Sequence, residues 1–157
     1  MFKITITGGK NVGIDNIVQK YMTRGGCDLH SKMIVCNSNN RFDLGDCDAV
    51  LFVFDIANRS SFYEINQLYR DFNSYRKANS LCFLVGNNKD KQREILVNTA
   101  TEFALNKNMS YSEISTEEVN DTTHLFQRIL KKLENAPSDK RHKKKIQATV
   151  SDRCIQQ

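Results

Sequence analysis

Two continuous apolar runs constrain the fold of this chain more than any other feature. Residues 49–55 (AVLFVFD) and 81–86 (LCFLVG) are hydrophobic almost throughout. A strand with one face in water would alternate apolar and polar residues, so these runs indicate strands that are buried on both faces. Amphipathic segments separate them from shorter strand-like segments. This alternation predicts an α/β protein with a mostly parallel sheet flanked by helices.

The other elements follow from periodicity and from helix-start signals. Ser61 is the expected N-cap of the second helix, because a serine hydroxyl can accept from backbone N–H groups. The apolar face of that helix is predicted to comprise Phe62, Ile65, Leu68, Phe72 and Tyr75. The predicted strands are 2–7, 32–36 and 109–114, and the predicted helices are 14–24, 62–75, 125–133 and one that opens at Asn98 or Thr99.

Charge divides the chain into two parts. The net charge is +5, and residues 136–157 contain six Lys or Arg and two Asp. The remainder is therefore nearly neutral, which argues against a nucleic-acid-binding surface. Apolar periodicity also ends at Pro137. We predict one domain at 1–135 and a flexible basic tail at 136–157.

Cysteine and histidine usage indicates neither disulfides nor a metal site. The five cysteines have no paired spacing, and the three histidines are scattered. The first predicted strand begins directly after Met1, which leaves no room for a secretory signal. We therefore expect reduced thiols, a cytoplasmic location and no metal centre.

The segment 8–15 (GGKNVGID), between the first strand and the first helix, has the outline of a phosphate-binding P-loop. In the pattern G-x-x-x-x-G-K-[ST], backbone N–H groups surround the phosphates and the lysine supplies a cation. Ile14 stands at the lysine position and Asp15 at the position of the metal-ligating hydroxyl. Asp15 has an alternative role as a favourable charge at a helix start. The candidate phosphate-binding residues are Gly8, Gly9, Lys10 and Gly13.

Four segments, taken in order, resemble the Ras-like small GTPases, and the Rab-like branch most. They are 48–62 (DAVLFVFDIANRSSF), 84–90 (LVGNNKD), 93–104 and 113–117 (EISTE). The resemblance covers residues 2–133 and implies a P-loop NTPase-like fold. The segment between Gly8 and Asp48 is shorter than the family pattern, so we expect the sheet to lack about one strand.

The resemblance implies a guanine-binding site for GTP or GDP. Asp90 takes the position whose carboxylate accepts from two N–H groups of guanine, and Asn87 takes the position that bridges the base and the loop. Ser115 would brace the adjacent turn, and the backbone N–H of Thr116 would meet the guanine oxygen. Without the resemblance, these residues could equally form polar turns after buried strands.

The resemblance gives no machinery for hydrolysis. Aligning 33–36 with the strand before the family's D-x-x-G motif places Asn37 on its Asp and Asn40 on its Gly. A plain Asn-rich turn is the alternative for 37–40. Arg41 follows where the family has a catalytic Gln, and no switch Thr or magnesium ligand set can be assigned. We expect weakened nucleotide binding, poor magnesium binding and absent or very slow hydrolysis.

The tail suggests a membrane contact. Residues 140–145 form a basic cluster, and the final residues, Cys154 to Gln157, resemble a prenylation box whose acceptor is Cys154. A lipid together with a basic patch would place the protein on the cytosolic face of a membrane. Nuclear import through the same cluster and a merely solvated tail are the alternatives.

The family's role implies a function in signalling or vesicle traffic. A divergent Rab- or Ras-like protein would bind guanine nucleotide weakly and recruit effector or adaptor proteins. The alternative is a nucleotide-free pseudo-GTPase, a scaffold that uses the domain only for protein–protein interaction.

Overall fold

The described residues form a parallel sheet covered by helices on both faces. The computed structural model describes residues 2–23, 31–35 and 46–137, with the backbone alone for 31–35. All described strand pairs are parallel, in the order β2-β1-β3-β4-β5. The predicted α/β fold is thus confirmed. The strands are β1 (Phe2–Gly8), β2 (Ser31–Val35), β3 (Ala49–Asp55), β4 (Leu81–Asn87) and β5 (Ser110–Glu113), and the helices are α1 (Ile14–Thr23), α2 (Arg59–Tyr75), α3 (Val97–Asn106) and α4 (Asp121–Asn135).

The central strand β3 sends alternate side chains into two separate cores. Successive side chains of a strand point to opposite faces, so a run with no polar residue supplies both faces at once. The core beneath α1 and α4 takes Ala49, Leu51 and Val53, while the core beneath α2 and α3 takes Val50, Phe52 and Phe54. All six are fully buried. Burying each of the larger side chains contributes about 1.5–3 kcal/mol.

The strand order reverses direction at β1, which lies between β2 and β3. Ligands of open parallel sheets bind beyond the carboxyl ends of the strands at such a reversal. The chain leaves β1 through Gly8, where a Cβ atom would overlap the carbonyl oxygen of Val53. Glycine is therefore required at the point where the candidate phosphate loop leaves the sheet.

The predicted N-cap of the second helix is wrong. Asn58, not Ser61, caps α2, because its side chain accepts from the backbone N–H groups of Ser60 and Ser61. Ser61 lies buried in the first turn, where its hydroxyl accepts from the Asp55 N–H at 2.9 Å and donates to the Asn58 carbonyl at 2.7 Å. It thus fastens the helix start to the end of β3.

Other element boundaries differ from prediction by one or two residues, except that α4 begins at Asp121, four residues before the predicted start at 125. Helix α3 begins at Val97 after Leu96, which makes no side-chain cap, so Asn98 and Thr99 do not open it. Tyr75 is 62% exposed, because it lies at the last residue of α2 and outside its apolar stripe. The predicted helix end at Arg24 and strand end at Cys36 lie outside the described residues. No described helix has the length and apolar character needed to cross a membrane.

Candidate functional site

The sheet brings the predicted site motifs to one edge. The strands are parallel, so the loop after Gly8, the residue Asn87 and the turn after Glu113 all emerge at the carboxyl ends of β1, β4 and β5. Segments that are far apart in sequence therefore lie side by side. This edge is also where ligands of such sheets bind.

The loop between β1 and α1 encloses a cavity of about 570 Å³, whose described lining is residues 8–16. Asn11 and Gly13 have φ values of 59° and 88°, in the left-handed region that asparagine and glycine tolerate best. When the sign of the backbone φ angle alternates in this way, successive N–H groups turn toward one point and form an anion-binding concavity. The four predicted phosphate-binding residues, Gly8, Gly9, Lys10 and Gly13, all line this cavity.

Asn87 connects the end of β4 to this loop. Its side chain is 1% exposed, and its Nδ2 donates to the Val12 carbonyl oxygen at 2.9 Å. A Cβ atom on Gly13 would lie 2.5 Å from that Nδ2, so the amide and the loop backbone are in close contact. The Asn87 Oδ1 has no hydrogen-bond partner among the described residues. A buried amide oxygen without a partner is costly, and a ligand N–H is one group that would satisfy it.

The substituted positions of the loop lack positive charge. Ile14 is half-buried and packs against the core beneath α1 and α4. Its Cδ1 lies 3.3 Å from the position that a Cβ on Gly8 would occupy. Asp15 is exposed and lines the cavity as the second residue of α1. An apolar side chain and a carboxylate thus replace the cation and the hydroxyl of the P-loop pattern.

A second carboxylate lies beside the loop, and sequence reasoning missed it. Glu64 of α2 contacts Gly9 so closely that a Cβ atom on Gly9 would overlap the carboxylate oxygen. The two residues are 55 positions apart in the sequence, and nothing in the spacing of Glu64 marks it. Its only sequence signal is a place on the first turns of the helix after β3.

The turns after β4 and β5 meet through Asp90 and Ser115. A hydrogen bond with the Ser115 hydroxyl, and one with its own backbone, hold the pKa of the exposed Asp90 below its usual value. The Ser115 hydroxyl also accepts from the Glu117 N–H at 3.2 Å. Thr116 is buried beside it. Asn88, between the two strand ends, adopts a φ of 62°.

An ion pair that the sequence did not suggest supports these turns. The Lys89 ammonium lies 2.7 Å from Asp121 Oδ2, and the same oxygen accepts from the Ser115 N–H at 2.9 Å. Partial burial opposes ionisation of Asp121, but these partners outweigh it and lower its pKa. The backbone N–H of Lys89 also donates to Ile114. Lys89 and Asp121 therefore fix the two turns relative to each other.

A second ion pair joins the same two segments further from the cavity. Arg93 binds Glu113 with both guanidinium nitrogens, at 2.9 and 2.7 Å, and the Tyr111 hydroxyl donates to the same carboxylate at 2.6 Å. Burial opposes ionisation of Glu113, but these donors outweigh it and lower its pKa. Burial, followed by the hydrogen bond to Glu113, raises the pKa of Tyr111.

Other predicted residues lie outside the described part of the chain. These are the segment 37–40, the basic cluster 140–145 and Cys154. Within the described ranges, no group of three or more His, Cys, Asp or Glu side chains could hold a metal ion.

The described residues define a parallel α/β protein with a loop cavity at the carboxyl edge of its sheet. The Ras family model matches residues 37–135. The GTP-binding protein drn-1 of Caenorhabditis elegans is 24% identical over 162 residues, covering 82% of this chain and 74% of that protein. The Ras-related protein RABA4e of Arabidopsis thaliana is 27% identical over 146 residues, with coverages of 89% and 82%. Ras-related protein Rab-17 of Mus musculus is 22% identical over 160 residues, with coverages of 83% and 75%.

This chain therefore belongs to the Ras family, as a small GTPase of the Rab-like branch. The matched range begins after α1, so it leaves out the loop 8–15. The prediction that this loop binds phosphate therefore rests on its place at the end of β1 and on its glycines.

Proposed function

We propose that this protein binds guanine nucleotide weakly and largely without magnesium, and hydrolyses GTP very slowly or not at all. The observation that carries the proposal is the buried side chain of Asn87. Its amide nitrogen connects the end of β4 to the loop, and its Oδ1 has no hydrogen-bond partner among the described residues. Asp90, three residues further along the chain, is exposed for contact with a base, and Ser115 and Thr116 lie in the turn after β5. We call Asn87, Asp90, Ser115 and Thr116 the base half of the site. Their donors and acceptors suit guanine.

The loop residues 8–15, the phosphate half of the site, support the proposal that nucleotide binding is weak. Ile14 brings no cation, and the Asp15 carboxylate lines the cavity. A carboxylate ~4 Å from a phosphate charge costs roughly 4 kcal/mol at an effective dielectric of ~20. Asp15 also replaces the hydroxyl that would bind magnesium, so no described residue set suits the metal. Lys10 supplies some positive charge from inside the loop.

In this proposal the domain, residues 1–135, recruits effector or adaptor proteins in signalling or vesicle traffic. Its relatives include Ras-related and GTP-binding proteins. The basic tail 136–157 would hold the protein on the cytosolic face of a membrane through the 140–145 cluster and a lipid on Cys154. Nuclear accumulation that is lost on deleting 140–145 would favour import instead.

Nucleotide release and a thermal-shift titration test the proposal. The purified protein is denatured, and released nucleotide is identified by mass spectrometry. A thermal-shift titration with GDP and GTP, with and without a chelator, follows. We expect GDP or GTP to raise the melting temperature equally with and without magnesium. Tight binding that disappears on adding the chelator contradicts the proposal.

A second candidate is a nucleotide-free scaffold for protein–protein interaction. The packing of Ile14 onto the core and the carboxylates of Asp15 and Glu64 favour it, because all three weaken phosphate binding. Absence of released nucleotide and of any thermal shift with GDP or GTP would select this candidate.

A further inference from the structure

We propose that the site prefers a guanine nucleoside or nucleoside monophosphate to the di- and triphosphates. The inference rests on the proposed guanine binding and names the class of ligand for that same site. It starts from the contrast between the two halves of the proposed site. The base half is Asn87, Asp90, Ser115 and Thr116, and the phosphate half is the loop whose cavity residues 8–16 line. In the base half, Asn87, Ser115 and Thr116 are buried polar groups, whereas Asp15 and Glu64 place carboxylates at the phosphate loop.

The base half is ordered before any ligand binds. Asn87 is held by the Val12 carbonyl, and its free Oδ1 is buried. Asp90 is joined to Ser115, and Ser115 is in turn held by Asp121. A preorganised site spends little binding energy on ordering its own side chains. The nucleoside part of a ligand would therefore gain most of its affinity here.

The loop backbone can take one phosphate. The left-handed residues Asn11 and Gly13 shape a concavity of N–H groups at the start of α1. Such a concavity binds an anion without a charged side chain. Lys10 is the one lysine or arginine among the described lining residues 8–16. A monophosphate suits this limited supply of positive charge.

Each further phosphate meets negative charge. Asp15 lies on the cavity wall, and the Glu64 carboxylate lies against Gly9. Ile14 occupies the space above Gly8 with an apolar side chain rather than an ammonium. Repulsion between like charges grows with the charge of the ligand, so the penalty increases from mono- to di- to triphosphate. The affinity order becomes the reverse of the one that a P-loop lysine would produce.

Isothermal titration calorimetry on the full chain tests the inference with guanosine, GMP, GDP and GTP in one buffer. We expect the affinities for GDP and GTP to be below that for GMP. The variants Asp15→Asn and Glu64→Gln remove charge from exposed side chains with little change of shape. Each should raise GDP affinity relative to GMP, together by about tenfold. Glu102→Gln, an exposed change on α3, is the matched control and should leave the ratio unchanged.

The outcomes separate the two proposals. Binding of GDP by the unmodified protein that is as tight as, or tighter than, that of GMP overturns this inference while leaving guanine binding intact. An unchanged GMP-to-GDP ratio in the Asp15→Asn, Glu64→Gln double variant also overturns it. Failure of all four ligands to bind overturns the proposed function itself, and the inference with it.

Discussion

The side-chain amide of Asn87 donates to the carbonyl oxygen of Val12 at 2.9 Å, across 75 residues of sequence. Both residues are buried, so removing the donor leaves a carbonyl without its partner. Asn87→Ala should lower the free energy of unfolding by about 1–3 kcal/mol, as measured by urea titration. Asn73→Ala, an exposed change on α2, is the control. Equal midpoints for the two variants would contradict the role of this hydrogen bond.

Gly13→Ala should destabilise the loop for two reasons. Gly13 has a φ of 88°, which an alanine adopts only with strain, and the added Cβ would lie 2.5 Å from Asn87 Nδ2. We expect a loss of about 1–3 kcal/mol in urea unfolding. The second cause is separable, because Asn87→Ala removes the clashing amide. The two changes combined should cost less than their sum, and strict additivity would show that the clash contributes nothing.

Restoring the P-loop residues should strengthen diphosphate binding. Ile14→Lys with Asp15→Ser adds an ammonium and a hydroxyl where the pattern requires them. A charge-assisted contact is worth about 1.5–3 kcal/mol, so GDP affinity should rise about tenfold or more. Magnesium should strengthen it further, which calorimetry with and without chelator would show. Ile14→Met with Asp15→Ser controls for the loss of the carboxylate alone, and an equal rise in that control would refute a role for the ammonium.

The Arg93–Glu113 pair should make stability depend on acid pH. The pKa of Glu113 is lowered in the folded state from its ordinary 4.5. The folded state therefore binds this proton less readily than the unfolded chain. The stabilisation that the ionised Glu113 provides is complete above pH 4.5, and it is lost as the pH falls through the pKa of the folded state. Glu113→Gln should cost about 1–3 kcal/mol at pH 7 and progressively less below pH 4.5. A pH-independent difference in urea unfolding would contradict this reasoning.

Lys89 and Asp121 should differ in importance although they form one ion pair. Lys89 is 37% exposed, so its charge contributes less than about 1 kcal/mol. Asp121 also accepts from Ser115 and lies in the first turn of α4. Asp121→Ala should therefore destabilise more than Lys89→Ala, and 1 M salt should abolish only the Lys89 effect. Equal losses in urea unfolding would show that the ion pair, not the backbone contact, dominates.

The sequence predicted the parts of the fold that depend on local pattern. The runs that became β3 and β4 are apolar up to their last residues, Asp55 and Asn87, so no partly exposed strand could be assigned to them. The helix start at 58–61 was less determinate, because Asn58, Ser60 and Ser61 are all good N-caps. The position of the β3 end, which binds Ser61, decided between them.

The site could be predicted only where chemistry lies on adjacent residues. The loop glycines were predicted from the spacing of the P-loop pattern, and Asn87 and Asp90 from the family resemblance of 84–90; their roles stay predictions. Glu64 beside Gly9 and Lys89 beside Asp121 became visible only in three dimensions, since each pair joins different elements. Long-range contacts between exposed charged residues leave no periodic signal in a single sequence.

The alternation of β3 between two cores has a consequence for how this molecule can change. β3 contributes three side chains to each core, so a change in this one seven-residue strand affects the packing of both helical layers. Ile14 and Asp15 are the first residues of α1 and follow the end of β1. Mutation of the exposed Asp15 can therefore change the ligand chemistry of this segment without altering the strand that both cores share.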